Sequence, residues 1–422
     1  PVSTALTVLR QRPVRRYLGS TALAATGINL LITVLFKQVY DLTGNPFDIG
    51  LIGLAQFVPG LLLALPSGYI ADRFDRRRVA GTFLGGRLIC AAGLVVFSLG
   101  DGDRVWLLFL IAVGIGTADA MIGPSRRAVL PLMVPASDVP RVVALWTATF
   151  TGTSIIGPAL GGLLYSIDPW VAYAVATLLT AASIPLILAV QYRPGAAAVA
   201  TDRSDPSQRP SLKLALEGLS FIRRTPVVLG AISLDLFAVL FGGAVALIPI
   251  VAAERLGVGD IAYGWLRAAP GVGAATMAVV LAVAPVRRRV GPTLLVSVAV
   301  FGLGTIVFGL TTSYVVAFLA LVVLSAADMV SMFIRGSLVP LVTPPEQLGR
   351  VSAVEGVFIG ASNELGAFES GVAARYLGVP WAIAGGGIAT VVIAGSFALL
   401  FPSIRRIDTF EELDPSPSPS DG

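Results

Sequence analysis

The chain of 422 residues contains no histidine and one cysteine, and only 13% of its residues are charged. Without histidine it cannot form a histidine-ligated zinc site, and any proton carrier must be a carboxylate. The lone Cys90 excludes an intrachain disulfide. The sequence also lacks the G-x-x-x-x-G-K-[ST] pattern of a phosphate-binding loop and the G-x-S-x-G pattern of a hydrolase. We therefore expect no enzyme, no metal site and no cofactor.

Apolar residues make up 55% of the chain, and its mean hydropathy is +0.84. Its apolar runs of about 20 residues match the roughly 30 Å hydrocarbon thickness of a bilayer. Backbone polar groups in lipid must be satisfied within the segment, and the alternation of a β-barrel is missing, so these runs are expected to be helices. We predict an all-α integral membrane protein with twelve transmembrane helices, at about 17–40, 48–71, 79–100, 105–131, 141–164, 170–192, 226–251, 261–285, 291–311, 313–340, 350–377 and 380–402.

The basic residues are concentrated in alternate loops. Four arginines precede the first span, and most of the 30 Lys and Arg residues lie in segments on the same side of the twelve spans. This bias predicts that both termini are cytoplasmic and that the first span is an uncleaved anchor. It also explains the net charge of +5 through topology and anionic lipid, without a nucleic-acid partner.

The two halves of the chain repeat each other. A shift of 209 positions places Asp119 over Asp328 and Arg126 over Arg335, and earlier in each half a shift of 211 places R-R-R-V at 76–79 over R-R-R-V at 287–290. Parallel repeats of this kind are typical of transporters with a substrate path between the halves. The predicted domains are an N-terminal six-helix half (1–192), a partly flexible cytoplasmic linker (193–225), a C-terminal six-helix half (226–404) and a disordered tail (405–422).

A charged loop, G-Y-I-A-D-R-F-D-R-R-R at 68–78, joins the second and third predicted spans. With the twelve spans it resembles the signature of the major facilitator superfamily, although Asp75 stands where the general family has Gly. Within that superfamily the chain is similar to the enterobactin-exporter branch, at L-G-R-V-S-A-V (348–354), G-A-S-N-E-L-G (360–366) and D-L-F-A-V-L-F-G-G-A (235–244). The resemblance implies the major facilitator fold, alternating access, a small-molecule substrate, a bacterial cytoplasmic membrane and function as a monomer.

The charged loop also predicts a conformational latch. A carboxylate at the end of the second span can reach the positive end of a neighbouring helix, and the arginines can meet acids at a cytoplasmic helix end. The alternative is a solvated loop that only sets topology. The latch candidates are Gly68, Asp72, Arg73, Arg76 and Arg77, together with the repeated acid–arginine pairs Asp119–Arg126 and Asp328–Arg335, for which neutralising ion pairing and a direct coupling role are both open.

The fifth span carries G-P-A-L-G-G, in which Gly157, Pro158, Gly161 and Gly162 resemble the antiporter motif of drug-exporting facilitators. Small residues let helices approach closely, and proline bends a span. Ordinary helix packing is the alternative. The motif favours export.

Energy coupling requires a carboxylate within the membrane, because protonation removes the cost of a buried charge. Asp235 stands alone in the apolar seventh span, Asp328 lies in the tenth, and Glu364 lies in the eleventh with Glu355 and Glu369. The candidates for proton coupling are Asp235, Asp328 and Glu364, with the proton gradient as the energy source.

Aromatic, polar and cationic residues on the predicted cavity helices would suit an amphipathic or aromatic cargo, and the two cations an anionic one such as a catecholate siderophore. For each aromatic ring, packing or contact with lipid is the alternative. The cavity candidates are Lys37, Trp146, Phe150, Phe237, Phe241, Trp265, Arg267, Phe358 and Asn363.

These observations predict a secondary active exporter, a proton antiporter for siderophores or other small amphipathic molecules. A lipid or metabolite transporter of the same fold, a multidrug exporter and a transport-dead sensor are the alternatives. They differ in whether cargo moves outward against its gradient, and in which cargo moves.

The predicted topology can be tested by thiol labelling of intact cells. In a Cys90→Ala background, a single cysteine at Ser207 or Ser403 should be protected from an impermeant maleimide, because both positions are predicted to be cytoplasmic. A cysteine at Asn45 should be labelled. Labelling of the cysteine at Ser207 from outside would overturn the orientation.

Overall fold

The structure is a computed structural model that describes three stretches of the chain. They are residues 8–100, 104–192 and 212–413, without the side chains at 64–65, 71–72 and 212–215. The long helices, in chain order, are α1 (Arg12–Thr43), α2 (Pro46–Arg73), α3 (Arg76–Leu99), α4 (Trp106–Met133), α5 (Val139–Tyr165), α6 (Pro169–Leu188), α7 (Leu212–Arg224), α8 (Pro226–Phe241), α9 (Asp260–Val283), α10 (Val290–Leu310), α11 (Tyr314–Val342), α12 (Pro345–Leu377) and α13 (Val379–Leu400).

Within the described residues, eleven helices are long and apolar enough to cross a membrane. This confirms the prediction of an all-helical membrane protein. The eleventh predicted span, 350–377, falls on α12, which is not among the eleven. With 33 residues, α12 is about 50 Å long and could cross a bilayer, but it carries Glu355, Glu364 and Glu369 along its length. Its polar composition separates it from the other spans.

Local sequence explains where many helices begin and end. Proline occupies the first turn of α1, α2 and α6, where its missing N–H costs nothing. The side chain of Asn45 accepts a hydrogen bond from the Phe47 N–H at 3.1 Å, and that of Asp168 accepts one from the Trp170 N–H at 3.2 Å. Gly44, with φ of 60°, closes α1 in the left-handed conformation that glycine tolerates best.

The chain divides into two compact units. The first unit comprises Pro1–Pro210 and Ile248–Gly271, and the second comprises Ser211–Leu247 and Val272–Gly422. In the first unit α1 packs on α5 and α6, and α3 packs on α4 and α6. In the second unit α8 packs on α12 and α13, and α10 packs on α11 and α13. The same order of pairings occurs in both units, as expected for parallel six-helix repeats.

The division differs from the predicted domains at 248–271, which group with the N-terminal half. The seventh predicted span is also not one continuous helix. Helix α8 ends at Phe241, Gly242 and Gly243 follow, and the chain continues through a 3₁₀ turn (Ala244–Leu247) and a π-helical turn (Val251–Arg255). The glycines lie at the end of α8, a few residues before the point at which the chain passes from one unit to the other.

The glycines at the break allow close contact between helices of the second unit. A Cβ on Gly366 of α12 would lie 2.7 Å from the Val239 carbonyl oxygen and 2.8 Å from that of Leu240. A Cβ on Gly243 would likewise meet the Gly366 backbone. Helices α8 and α12 therefore touch backbone to backbone, which only glycine permits.

Two segments differ from the predicted linker and tail. The end of the linker forms α7, in which Ile222 is buried in the core of the second unit and Glu217 pairs with Arg350 of α12 at 2.7 Å. Residues 405–413 were predicted to belong to a disordered tail, and this is wrong. The carbonyl groups of Ile407 and Asp408 accept the N–H groups of Gly291 and Val290, which the first turn of α10 leaves unpaired. Residues 193–211 and 414–422 lie outside the described part.

Backbone contact at Gly366 can be tested by adding one methyl group. Gly366→Ala should lower the free energy of unfolding by about 1–3 kcal/mol, because the carbonyl oxygens of α8 leave no room for a Cβ. Gly360→Ala on the same helix is the matched control, since nothing lies within 4 Å of its Cβ position. Thermal unfolding in detergent measures both, and an unchanged Gly366→Ala protein would contradict the packing.

Candidate functional site

The charged loop at 68–78 is fastened to its own unit by Asp75. Asp75 is the N-cap of α3, where its side chain accepts the Arg77 N–H at 3.0 Å and pairs with the Arg77 guanidinium at 2.7 Å. The hydroxyl of Tyr192 donates to Asp75 at 3.0 Å, and Arg77 donates to the Val190 carbonyl at 2.5 Å. The side-chain hydrogen bond from Arg77 lowers the pKa of Asp75 to about 2. The acid in place of glycine thus caps α3 and joins it to the end of α6.

The other latch candidates are distributed around this clamp. Gly68 is half-buried on α2, and exposed Arg73 donates to the Tyr69 hydroxyl at 2.5 Å. Arg76 begins α3, and the Asp72 side chain lies outside the described residues. The acid that pairs with Arg77 is its near neighbour Asp75, which the sequence interpretation did not consider as its partner.

The four residues of the antiporter-like motif are buried on α5. A Cβ on Gly161 would lie 3.3 Å from the Leu30 carbonyl oxygen of α1, and one on Gly157 would lie 3.1 Å from that of Thr26. Helix α9 also contacts α5, because a Cβ on Gly264 of α9 would lie 2.8 Å from the Pro158 carbonyl oxygen and would also meet Gly162. The motif therefore forms close helix contacts within the first unit.

Lys37, predicted to attract an anionic cargo, lies among carboxylates of the first unit. Its Nζ pairs with Asp41 at 2.6 Å and with Asp260 at 3.3 Å, and it lies 5.3 Å from the centre of the Tyr165 ring. The hydroxyl of Tyr165 donates to Asp41 at 2.7 Å. The charge of Lys37 is therefore already balanced, and the i,i+4 spacing of Lys37 and Asp41 was the sequence signal for it.

The remaining cavity candidates are scattered over both units. Trp146 and Phe150 stack at 5.8 Å, and Arg267 lies 5.4 Å from the Phe36 ring centre. The side-chain amide of exposed Asn363 donates to the Ile359 carbonyl at 2.8 Å. The other members are exposed or half-buried: Phe237, Phe241, Trp265 and Phe358, with Glu364 also half-buried.

One buried charged group, here called the cationic cluster, comprises Arg87, Asp119 and Arg126 of the first unit. Arg87 of α3 pairs with Asp119 of α4, and its Nη1 also lies 3.4 Å from the Ala24 carbonyl oxygen. Arg126, seven residues after Asp119, donates instead to the hydroxyl of Thr21 at 2.9 Å and to that of Ser20 at 3.3 Å. The predicted pairing within the repeated motif is therefore not found in this unit. Its acid is paired with a different arginine, which the sequence interpretation missed.

The second group, here called the anionic cluster, comprises Asp235, Asp328 and Arg335 of the second unit. Asp235 of α8 and Arg335 of α11 pair at 2.6 Å, and both side chains are buried. Asp328 lines the same small cavity as Asp235 and Ser331, with room for about one water-sized molecule. In this unit it is the arginine of the repeated motif that pairs with a partner from another helix, whereas in the first unit it is the acid.

The two clusters are related by the repeat and carry opposite charge. At the shift of 211, Asp235 corresponds to Ala24, whose carbonyl lies beside Arg87, and Arg87 corresponds to Val298, which lines the cavity beside Asp235. The cationic cluster thus has two arginines for one carboxylate. The anionic cluster has two carboxylates for one arginine.

A helical membrane chain with a repeated packing order and buried charges in both repeats has the features of a secondary transporter. The comparison with known families agrees, because the model of the Major Facilitator Superfamily matches residues 17–367. The chain belongs to that superfamily, and it is a transporter, not an enzyme.

Its relatives are distant. An uncharacterized MFS-type transporter, YfiS of Bacillus subtilis, is 25% identical over 72% of this chain and 69% of its own length. The enterobactin exporter EntS of Salmonella choleraesuis is 24% identical over 95% of both chains, and macrolide efflux protein A of Streptococcus pyogenes is 24% identical over 35% of this chain and 36% of its own. The crystal structure of a D-xylose-proton symporter shares the fold, with a TM-score of 0.70 and 15% identity over 96% of this chain and 99% of that one.

The opposite charge of the clusters predicts opposite responses to the loss of the repeated arginine. Arg335→Gln leaves two carboxylates without a cation and should cost on the order of 3 kcal/mol at pH 8. Arg126→Gln removes a cation that pairs with no carboxylate in the described part of the chain, so the loss should be much smaller. Thermal unfolding of both purified variants measures the difference, and equal losses would contradict the assignment of charges.

Proposed function

We propose that this transporter exports small amphipathic molecules, siderophores among them, in exchange for protons across a bacterial cytoplasmic membrane. The observation that carries the proposal is the anionic cluster, in which two carboxylates share one arginine inside the helices of the second unit. Coupling needs a group that can exist with and without a proton in this environment. A carboxylate that exceeds the available cations meets that need.

The division of labour within the anionic cluster follows from its contacts. Asp235 takes the arginine at 2.6 Å, so its negative charge is balanced. Asp328 faces the cavity beside this pair, and Glu355 of α12 adds a further negative charge within electrostatic range of Arg335 and Asp235. An added proton relieves the repulsion, and Asp328 is the nearest acceptor that lacks its own ion pair among the described residues. Asp235 remains the alternative carrier, and Glu364 on α12 is a third.

The outward direction rests on sequence likeness. The G-P-A-L-G-G stretch resembles the antiporter motif, and two relatives are named for export, one of enterobactin and one of macrolides. The likeness to the enterobactin exporter extends over 95% of both chains, which favours the siderophore-exporting branch. The macrolide relative and the exposed aromatic candidates Phe150, Phe237 and Trp265 favour a multidrug exporter as the second candidate.

Alternating access would use the charged loop at 68–78 as its cytoplasmic latch. Asp75 and Arg77 hold the start of α3 to the end of α6, which leaves Asp72 and Arg76 as the candidates for contacts that change during transport. The termini are proposed to be cytoplasmic, in line with the basic loops, and a monomer contains both repeats that the cycle requires.

Coupling can be tested in proteoliposomes with an imposed pH gradient. Asp328→Asn fixes a neutral side chain, so uphill movement of ethidium or of a tricatecholate siderophore should be lost while downhill exchange continues. Asp235→Asn and Glu364→Gln identify the alternative carriers in the same assay. Glu217→Gln, which changes an exposed acid on α7, is the matched control and should pump normally.

Retained uphill pumping in all three variants would exclude coupling through these carboxylates. If Asp235→Asn alone abolishes it, the proton carrier is Asp235. The wild-type protein shows which cargo is transported. If it moves ethidium uphill but not the siderophore, the multidrug exporter is supported and the siderophore exporter is rejected.

A further inference from the structure

Arg126 is a buried cation whose partners among the placed residues are all neutral. Its residue is 8% exposed, and it projects from α4 toward α1, where Ser20 is fully buried and Thr21 is 3% exposed. The guanidinium donates to the hydroxyls of Thr21 at 2.9 Å and Ser20 at 3.3 Å, and lies 5.9 Å from the Tyr17 ring centre. The hydroxyl of Tyr17 in turn donates to the Arg126 carbonyl at 3.1 Å. These contacts fix the position of the group without balancing its charge.

The nearby carboxylate does not balance it either. Asp119 is paired with Arg87, so the cationic cluster keeps one positive charge in excess. The corresponding arginine of the second repeat, Arg335, is paired with Asp235 at 2.6 Å. A buried cation without a counter-ion costs several kcal/mol, and such residues in membrane helices mark binding sites or ion paths. Arg126 is the member of the repeated pair that has no acid of its own among the described residues.

The hydrogen bonds of Arg126 to α1 use only one of the three nitrogens of its guanidinium. Both bonds to α1 leave from Nη2, so within the described residues Nε and Nη1 have no hydrogen-bond acceptor. The Nε of neighbouring Arg87 is also buried without an acceptor there. The N–H groups of Nε and Nη1 can each donate to an oxygen of a carboxylate or another oxyanion, whose charge would also balance the cluster.

We propose that Arg126, positioned by Ser20 and Thr21, is the binding site for an oxyanion group of the cargo. The inference rests on the proposed transport function and assigns its substrate class as organic anions that carry a carboxylate or a comparable oxyanion. It also places the anionic head of the cargo in the first repeat, apart from the Lys37 ion pairs, whose charge is already balanced. Free inorganic anions share the same chemistry and are distinguished in the test.

Rhodamine B and its ethyl ester differ only in the presence of a carboxylate, which makes them matched probes. Fluorescence anisotropy should show that the full-length purified protein in nanodiscs binds the acid about tenfold more tightly than the ester. Arg126→Gln should remove this preference. Arg126→Lys should retain part of it, because the charge remains and the planar fork is lost. Arg127→Gln, which changes the exposed neighbouring cation, is the control and should bind as the wild type does.

Positioning is tested with Thr21→Val, which removes the closer acceptor and keeps the arginine. It should weaken binding of the acid and leave binding of the ester unchanged, and thermal unfolding of each variant shows that it is folded. Competition with inorganic phosphate distinguishes an organic cargo from a free inorganic anion. Displacement of the acid by millimolar phosphate would assign the site to small inorganic anions and overturn the cargo assignment. The proposal would be overturned if the wild-type protein did not prefer the acid over the ester, or if Arg126→Gln kept that preference.

The proposal and the transport function fail in different experiments. One outcome is that Arg126→Gln no longer prefers the acid but still moves the ester against its concentration gradient when a pH gradient is imposed. The site is then supported and proton coupling stands. If the wild type binds the acid through Arg126 but moves neither dye in proteoliposomes, the site is supported and the exporter proposal is rejected.

Discussion

The cost of placing a charge inside a membrane helix is the constraint on which the rest of this structure depends. Arg87, Asp119, Arg126, Asp235 and Arg335 all lie within predicted spans, and four of the five residues are less than one tenth exposed. Each such charge needs a counter-ion or an aqueous cavity. The helix packing provides a counter-ion for four of the five, because α3 brings Arg87 to Asp119 and α8 brings Asp235 to Arg335. The ion pairs therefore join the consecutive helices α3 and α4 in the first unit and the more distant helices α8 and α11 in the second.

Close approach of helix backbones is a second feature of the packing, and it occurs on helix pairs other than those that the ion pairs join. Glycine provides this approach at Gly162 and Gly264 in the first unit, and at Gly243 and Gly366 in the second. Adjacent glycines do not by themselves break a helix here, because α5 is continuous through Gly161 and Gly162 and α13 is continuous through residues 385–387.

The sequence predicted the helical membrane fold and the repeat because both depend on patterns that a single chain displays. Hydrophobic runs locate spans, and the recurrence of an acid and an arginine seven residues apart locates the repeat. It did not predict the partners. Spacing along one helix suggested that Asp119 would lie near Arg126, yet Arg87 on α3 takes the acid, and nothing within α4 specifies that choice. Partner choice is a tertiary property, as is the cap that Asp75 forms with Tyr192.

Lys37 and Arg77 show the same limit of prediction from sequence. Lys37 and Arg77 were interpreted as charges free for cargo or for gating, because the acids beside them, Asp41 and Asp75, were treated separately. A charge in a sequence is only a candidate until its neighbours are known. By this measure Arg126 differs from the other two, since its neighbours are hydroxyls.

The comparison of the repeats explains how one scaffold can serve two opposite tasks. Both units retain the acid and the arginine, so the framework of the cluster is common to them. The difference lies in one further residue in each, Arg87 in the first and Asp235 in the second, and this residue decides the sign of the excess charge. An excess cation favours an anion and an excess carboxylate favours a proton. In the proposed transport cycle, binding of either ligand neutralises its own cluster, so the empty and occupied states of each repeat differ by one full charge, which is the kind of difference that can bias a conformational equilibrium.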